Sequence, residues 1–201
     1  VFKSSYIQAM PKKSSKGRAI DKWYQFFYGF TATSAGAADL ARAVIPLPTI
    51  PTQYVGAGSS LVYEILWIEY NLTLPNTSTH NEIQNYVVGL MLNDRTDILA
   101  IYPSDPNVID FRWMKRDKFV VGTDGGGQCY VDLRLRTDME DNLGNGRLIA
   151  RDNLYLFAYH LDTDAASEIS IAVDLKVAYR LTKIPLTEYI GLLGEQSYSS
   201  R

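Results

Sequence analysis

Between Glu168 and Thr182 the chain reads EISIAVDLKVAYRLT, and every odd position from 169 to 181 is apolar: Ile169, Ile171, Val173, Leu175, Val177, Tyr179 and Leu181. The even positions are Ser170, Ala172, Asp174, Lys176, Ala178, Arg180 and Thr182. An unbroken period of two sends alternate side chains to opposite faces of a strand, one toward a core and one toward water. The run holds no Gly and no Pro, so it predicts a strand of roughly 45 Å. Such a strand needs long neighbours.

The rest of the chain supplies them. Trp23 to Thr31 is an aromatic, strand-like run. Gly36 to Ala43 is rich in small residues and suggests one or two helical turns, before Pro46, Pro48 and Pro51 impose an extended connection. Leu61 to Leu74, LVYEILWIEYNLTL, is apolar on both faces and predicts a strand covered on both sides. Further strands are predicted over Asn85–Leu92, Asp97–Tyr102, Val108–Met114, Cys129–Arg136, Arg147–Ala150 and Asn153–Leu161. In Val108–Met114 the alternation groups Trp113 with Ile109 and Phe111 and points it to a core. Asn153–Leu161, apolar on both faces, has the pattern of a central strand. Leu186 to Leu193 reads as a short apolar extension, and residues 194–201 as a polar tail. Eight or nine strands, short connections and no long helices predict an all-β, antiparallel, two-sheet sandwich. The eight-stranded jelly roll is the natural arrangement of that kind.

Composition narrows the class. At 201 residues, 46% apolar and 12% aromatic, the chain is sized for one domain with a sizeable core. The single Cys129 excludes an internal disulfide framework and a thiolate metal cluster. No apolar run approaches the roughly 18 residues of a membrane span, and the first twenty residues lack a signal-peptide apolar segment. Charge is uneven. Residues 1–22 carry Lys3, Lys12, Lys13, Lys16, Arg18 and Lys22 against the single Asp21, a net of +5 in a chain of net −2, which leaves −7 on the remainder. With no periodicity and with Gly, Pro and Ser among its charges, this segment reads as a mobile basic arm. It suits an anionic partner, or it serves only solubility.

Catalytic chemistry finds little support. His80 lies in a polar loop and His160 at a strand end beside Asp162, with no Gly-x-Ser-x-Gly turn to present a nucleophile. Glu64 and Glu69, five residues apart, fall on opposite faces of a regular strand and share no site there. The loop Asp138 to Asn142 is acidic but lacks calcium-loop spacing, with Ile149 where a chelating Glu would stand, and reads as a solvated hairpin. Gly125–Gly127 is followed by Gln128 and Cys129, not by a phosphate-loop Lys. Asn71-Leu-Thr73 and Asn76-Thr-Ser78 match glycosylation acceptors by chance in a chain without a secretory signal. The sequence therefore predicts no enzyme, no cofactor and no metal. Clustered Lys on an arm neutralises phosphates without reading sequence, and Trp23 to Phe30 offers either base-stacking rings or strand aromatics of the core.

Long Pro-free strands, a basic N-terminal arm and the lack of an active site together resemble the single jelly-roll capsid proteins of small icosahedral viruses with single-stranded DNA or RNA genomes. The likeness covers nearly the whole chain and rests on layout. It implies an arm over 1–22, a jelly-roll capsid domain over 23–193 and a polar tail over 194–201. It implies a protein of the virion shell whose partners are many copies of itself, other capsid proteins, and the genome met non-specifically through Lys3, Lys12, Lys13, Lys16, Arg18 and Lys22, with no membrane. The loops Pro75–Glu82, Pro103–Asn107, Asp138–Gly146 and Asp162–Ser167 would meet other subunits or the outer surface. The arm departs from the denser Arg-rich segments of many such families, having one Arg and five Lys. A carbohydrate- or ligand-binding β-sandwich module, with Trp67 or Trp113 as stacking platform, is the alternative reading.

Overall fold

A computed structural model of the chain describes residues 8–10, 23–34, 40–49, 58–73, 84–97, 101–116, 132–141, 143–160 and 169–198. These form ten strands and one helix: β1 Gln8–Met10, β2 Trp23–Ser34, β3 Ala41–Pro46, β4 Ser59–Thr73, β5 Gln84–Met91, β6 Val108–Arg116, β7 Asp132–Asp138, β8 Arg147–Ile149, β9 Asn153–His160, β10 Ile169–Pro185 and α1 Leu186–Tyr198. The long alternating run is β10, and it lies at the centre of the larger sheet, whose order is β1-β2-β10-β4-β7 with β8 also paired to β4. The smaller sheet has the order β3-β9-β5-β6. Every pairing is antiparallel. Apart from β1/β2, β5/β6 and β7/β8, which share a sheet, each strand is followed in the chain by one in the opposite sheet, the two-sheet crossing of a jelly roll.

The core lies between the sheets. Val173, Leu175, Val177 and Tyr179 of β10 enter it, as their spacing predicts, with Phe26 of β2, Tyr86, Val88 and Leu90 of β5, and Leu154, Leu156 and Ala158 of β9. Tyr179 anchors an aromatic group, its ring 5.6 Å from Tyr24, 5.9 Å from Phe26 and 5.7 Å from Tyr63. The first aromatic run is thus largely strand packing, with Tyr24 and Phe26 inward and Phe27 outward. As its composition predicts, β9 is an interior strand, between β3 and β5.

Two bulges rewrite the expected faces. Along β4 the register steps from Ala178↔Trp67 to Tyr179↔Ile65, so Leu66 is an extra residue. An inserted residue reverses the parity of all that follows. Tyr63 and Ile65 before it, and Ile68, Tyr70 and Leu72 after it, consequently share one core. The two apolar faces read in the sequence are one face, interrupted. The carbonyl of Leu66, opposite neither β7 nor β8, accepts the Met139 N–H at 2.7 Å. A second shift leaves Ile109 extra where β6 meets β5. Ile109 and Met114 enter the core while Trp113 faces out, 66% exposed, which corrects its expected inward direction. With apolar residues on both faces of this edge strand, period two does not say which face is inner. Asp110 and Arg112 settle it by pointing toward the sandwich edge, where Asp110 accepts from Thr137 of β7 at 2.9 Å and Arg112 also reaches Thr137.

Other differences are local. Ala41–Ala43, expected in helical turns, belongs to β3, because pairing with β9 outweighs the helix preference of Ala. Among the described residues of Asp97–Tyr102, none is in a strand; Tyr102 opens a turn closed by the Asp105 N–H at 3.0 Å. Residues 8–10, inside the segment expected to be a mobile arm, pair with Trp23–Gln25 as β1. The helix α1 runs across the expected 193/194 boundary, with Leu186, Tyr189, Ile190 and Leu193 at helical spacing.

The sheets are tied at one end by Arg147, which donates to the carbonyls of Val108 at 3.0 Å, Ile109 at 3.2 Å and Pro106 at 2.6 Å. Burial lowers its pKa below the ordinary value. Replacing Arg147 with Ala removes three charge-assisted bonds at once and should cost about 2 to 3 kcal/mol. Urea unfolding followed by circular dichroism checks this, and Arg147→Lys should recover less than half, because one ammonium does not span the same three carbonyls.

Candidate assembly interface

Both sheets turn a second face away from the core, and the two faces differ in chemistry. On the small sheet the outward face is apolar. Val87 and Met91 of β5, Val108 of β6, and Phe157 and Tyr159 of β9 form a second buried cluster with Ile101, against which Leu40, Phe111 and Tyr155 pack. Phe157 lies across Gly89, where an added Cβ would meet its ring at 2.4 Å and the Asp110 carbonyl at 2.3 Å. Beyond this cluster Val44 and Trp113 stand more than half exposed on the two edge strands, and the Trp113 indole N–H donates to Asn85 at 3.4 Å.

On the large sheet the outward face is polar and ordered in rows. Across β2, β10, β4 and β7 the register aligns Phe27, Lys176, Glu69 and Arg136 in one row. The rows on either side are Gly29, Asp174, Asn71 and Arg134, and Gln25, Ala178, Trp67 and Asp138. Past the bulge, Trp23, Arg180 and Glu64 complete a fourth. Glu64 and Glu69 therefore share this face, contrary to the regular-strand expectation, because the extra Leu66 lies between them. Glu64 accepts from Arg180 at 2.7 and 2.6 Å, from the Gly146 N–H at 2.7 Å and from Thr182. Burial raises its pKa, but the bonds from Arg180, Thr182 and Gly146 outweigh it and hold the carboxyl below its ordinary 4.5. Glu69 pairs with Arg134 at 2.6 Å. The Arg136 guanidinium lies 4.5 Å over the Trp67 ring, and the Lys176 ammonium sits 5.3 Å from both Trp67 and Phe27.

At the sandwich end α1 is fastened by Gln196. Its side-chain amide donates to the Leu148 carbonyl and accepts from the Ala150 N–H, each at 3.0 Å, on the side of β8 away from β4. Its own carbonyl accepts from Asn93 at 3.0 Å and from Arg151. Leu186 and Ile190 on the same helix remain exposed.

The residues expected to meet nucleic acid, Lys3, Lys12, Lys13, Lys16, Arg18 and Lys22, lie outside the described residues, as do His80, Cys129 and the Gly125–Gly127 turn. His160 ends β9. In the acidic loop, Asp141 spends its carboxylate on the turn itself, accepting the N–H groups of Leu143 and Asn145 at 2.8 Å and the Asn145 amide at 3.1 Å. The Asn145 bonds lead in holding its pKa below the ordinary value. Among the described residues no three His, Cys, Asp or Glu converge on a metal-sized site. The apolar outer face of the small sheet escaped sequence reasoning; its one legible signal is the two-faced pattern of β9.

No protein-family model and no curated protein matches the chain. Among solved structures it is similar to the VP1 pentamer of human polyomavirus 6, with a TM-score of 0.50 and 14% identity over 87% of this chain and 100% of that one. It is similar also to the unassembled VP1 pentamer of KI polyomavirus, with a TM-score of 0.50 and 15% identity over 88% of this chain and 98% of that one. At such identity the likeness is one of fold, and the chain is a jelly-roll β-sandwich of the kind that VP1 adopts.

Proposed function

We propose that the protein is a viral capsid subunit that assembles from many copies of itself into a closed shell, with its basic arm toward the packaged genome. The observation that carries this reading is a jelly-roll sandwich with large apolar side chains, Val44 and Trp113, left on the outside of its small sheet. An association surface accounts for apolar side chains left in solvent at both edges of this sheet face, and Trp is a residue type enriched among those that dominate one. The fold likeness to chains that form pentamers supports the same reading. In this account Lys3, Lys12, Lys13, Lys16, Arg18 and Lys22 neutralise genome phosphates without sequence preference, and no catalytic step is involved.

Sedimentation velocity tests it. The unaltered protein should sediment as large particles near neutral pH. Trp113→Ser with Val44→Ser should raise the concentration needed for assembly at least about tenfold, equivalent to about 1.4 kcal/mol per subunit. Both side chains are exposed, so the thermal midpoint of the subunit should hardly move. Unchanged particles in this variant would remove the small-sheet face from the account.

A carbohydrate-binding module is the second reading, and the outward Trp113 ring favours it. It requires glycan binding that Trp113→Ser abolishes while assembly is unaffected.

A further inference from the structure

The outward face of the large sheet carries a chemistry that subunit contact alone does not call for. Its carboxylates on β4 are buried beneath their partners: Glu69 is 3% exposed while the paired Arg134 side chain is 69% exposed. Glu64 likewise lies under Arg180. What this face offers to solvent is therefore cations and rings interleaved with two exposed carboxylates, Asp174 and Asp138, the latter paired with Arg136 at 2.9 Å. The rings and cations interleave. Lys176 is equidistant from Phe27 and Trp67, and the Arg136 guanidinium lies over the Trp67 indole. Successive rows of one strand face stand about 7 Å apart. An open sheet face of this composition matches the platforms on which unpaired bases stack while cations track the phosphates.

We propose that this face binds single-stranded nucleic acid without sequence preference, Phe27 and Trp67 stacking bases and Arg134, Arg136 and Lys176 meeting phosphates. The proposal rests on the capsid reading for its biological setting and adds to the arm a second, folded contact with the genome. The Arg136 side chain, which lies over Trp67, yields its place to a base and turns to the adjoining phosphate. Rings select single strands, because the bases of a duplex are stacked on each other and closed to them. With two carboxylates neutralised underneath and two at the surface, the face contributes modest affinity and leaves the arm to supply the long-range attraction.

The test uses the full chain, with fluorescein-labelled oligo-dT and oligo-rU of twenty nucleotides and a duplex of equal length, followed by anisotropy at several salt concentrations. The same preparations are sedimented to read assembly. Single strands should bind more tightly than duplex. Arg134→Ala with Lys176→Ala should weaken single-strand binding at least about tenfold and flatten the slope of log K against log salt by about 1.4, two phosphate contacts at about 0.7 each. Phe27→Ser, at an exposed position, should weaken single-strand binding and leave duplex binding unchanged. Ultraviolet crosslinking should place the oligonucleotide on β2 and β4. If affinity and slope are unchanged in these variants, while Lys12→Ala with Lys13→Ala and Lys16→Ala abolishes binding, the arm acts alone and the proposal is overturned. If the face variants lose assembly and keep full oligonucleotide affinity, the face is a protein contact and the proposal is equally overturned. A protein that never forms particles, yet loses oligonucleotide affinity in the face variants, would retain this site while refuting the capsid reading.

Discussion

Glu64→Ala should lower the unfolding free energy by about 3 kcal/mol, because it leaves the Arg180 guanidinium, the Gly146 N–H and the Thr182 hydroxyl without their common acceptor. The figure sits at the low end for a broken buried pair, since Arg180 keeps 23% of its side chain in water. Glu64 joins three separate pieces of chain: β4, β10, and the loop before β8 that Arg180 also holds through the Gly144 carbonyl at 2.9 Å. Loss of the carboxylate should therefore loosen residues 139–146 first, which amide hydrogen exchange reads directly. Its pH signature has a definite sign. The folded pKa is depressed, so the stabilisation is full above the unfolded value near 4.5 and is lost as pH falls through the folded value. Glu64→Gln should flatten the acid limb of stability against pH in that window. An acid limb identical to that of the unaltered protein would mean that Glu64 is not the group titrating there.

Gly89→Ala should be at least as damaging, at about 3 kcal/mol or more and a fall in thermal midpoint of about 10 °C. The added methyl would stand 2.3 Å from the Asp110 carbonyl and 2.4 Å from the Phe157 ring. Neither neighbour has room to yield. The carbonyl belongs to the backbone of β6, next to its bulge, and Phe157 is fully buried in the outer cluster. Relief by the compensating change Phe157→Leu would show that the ring is part of the obstacle. A Gly89→Ala protein with undiminished stability would contradict the packing of β9 on β5.

Both positions illustrate what the sequence discloses and what it conceals. The period of two in β10, the central position of β9 and the two-sheet architecture were readable, because burial on one face leaves a direct imprint on alternate residues. Bulges leave none. Leu66 and Ile109 look like ordinary members of apolar runs, yet each reverses the faces of its strand, and with them the sides on which Glu69 and Trp113 lie. The buried Glu64–Arg180 pair joins residues 116 apart in the chain, and no local pattern announces it. Helix α1 was half legible. Leu186, Tyr189, Ile190 and Leu193 have helical spacing, but Pro185, Gly191, Gly194 and the polar end masked it, and the role of Gln196 depends on the free side of β8. Ala41–Ala43 shows the opposite error, local propensity overruled by pairing with β9. Over residues 1–22 only the excess of positive charge was legible, and the pairing of Gln8–Met10 with β2 was not.

The most direct measurement is electron microscopy of the purified protein near neutral pH. Closed shells of uniform diameter, whose reconstruction places Trp113 and Val44 within subunit contacts, are the predicted result. A monodisperse single subunit at high concentration across a range of salt, with both side chains in solvent, would contradict it.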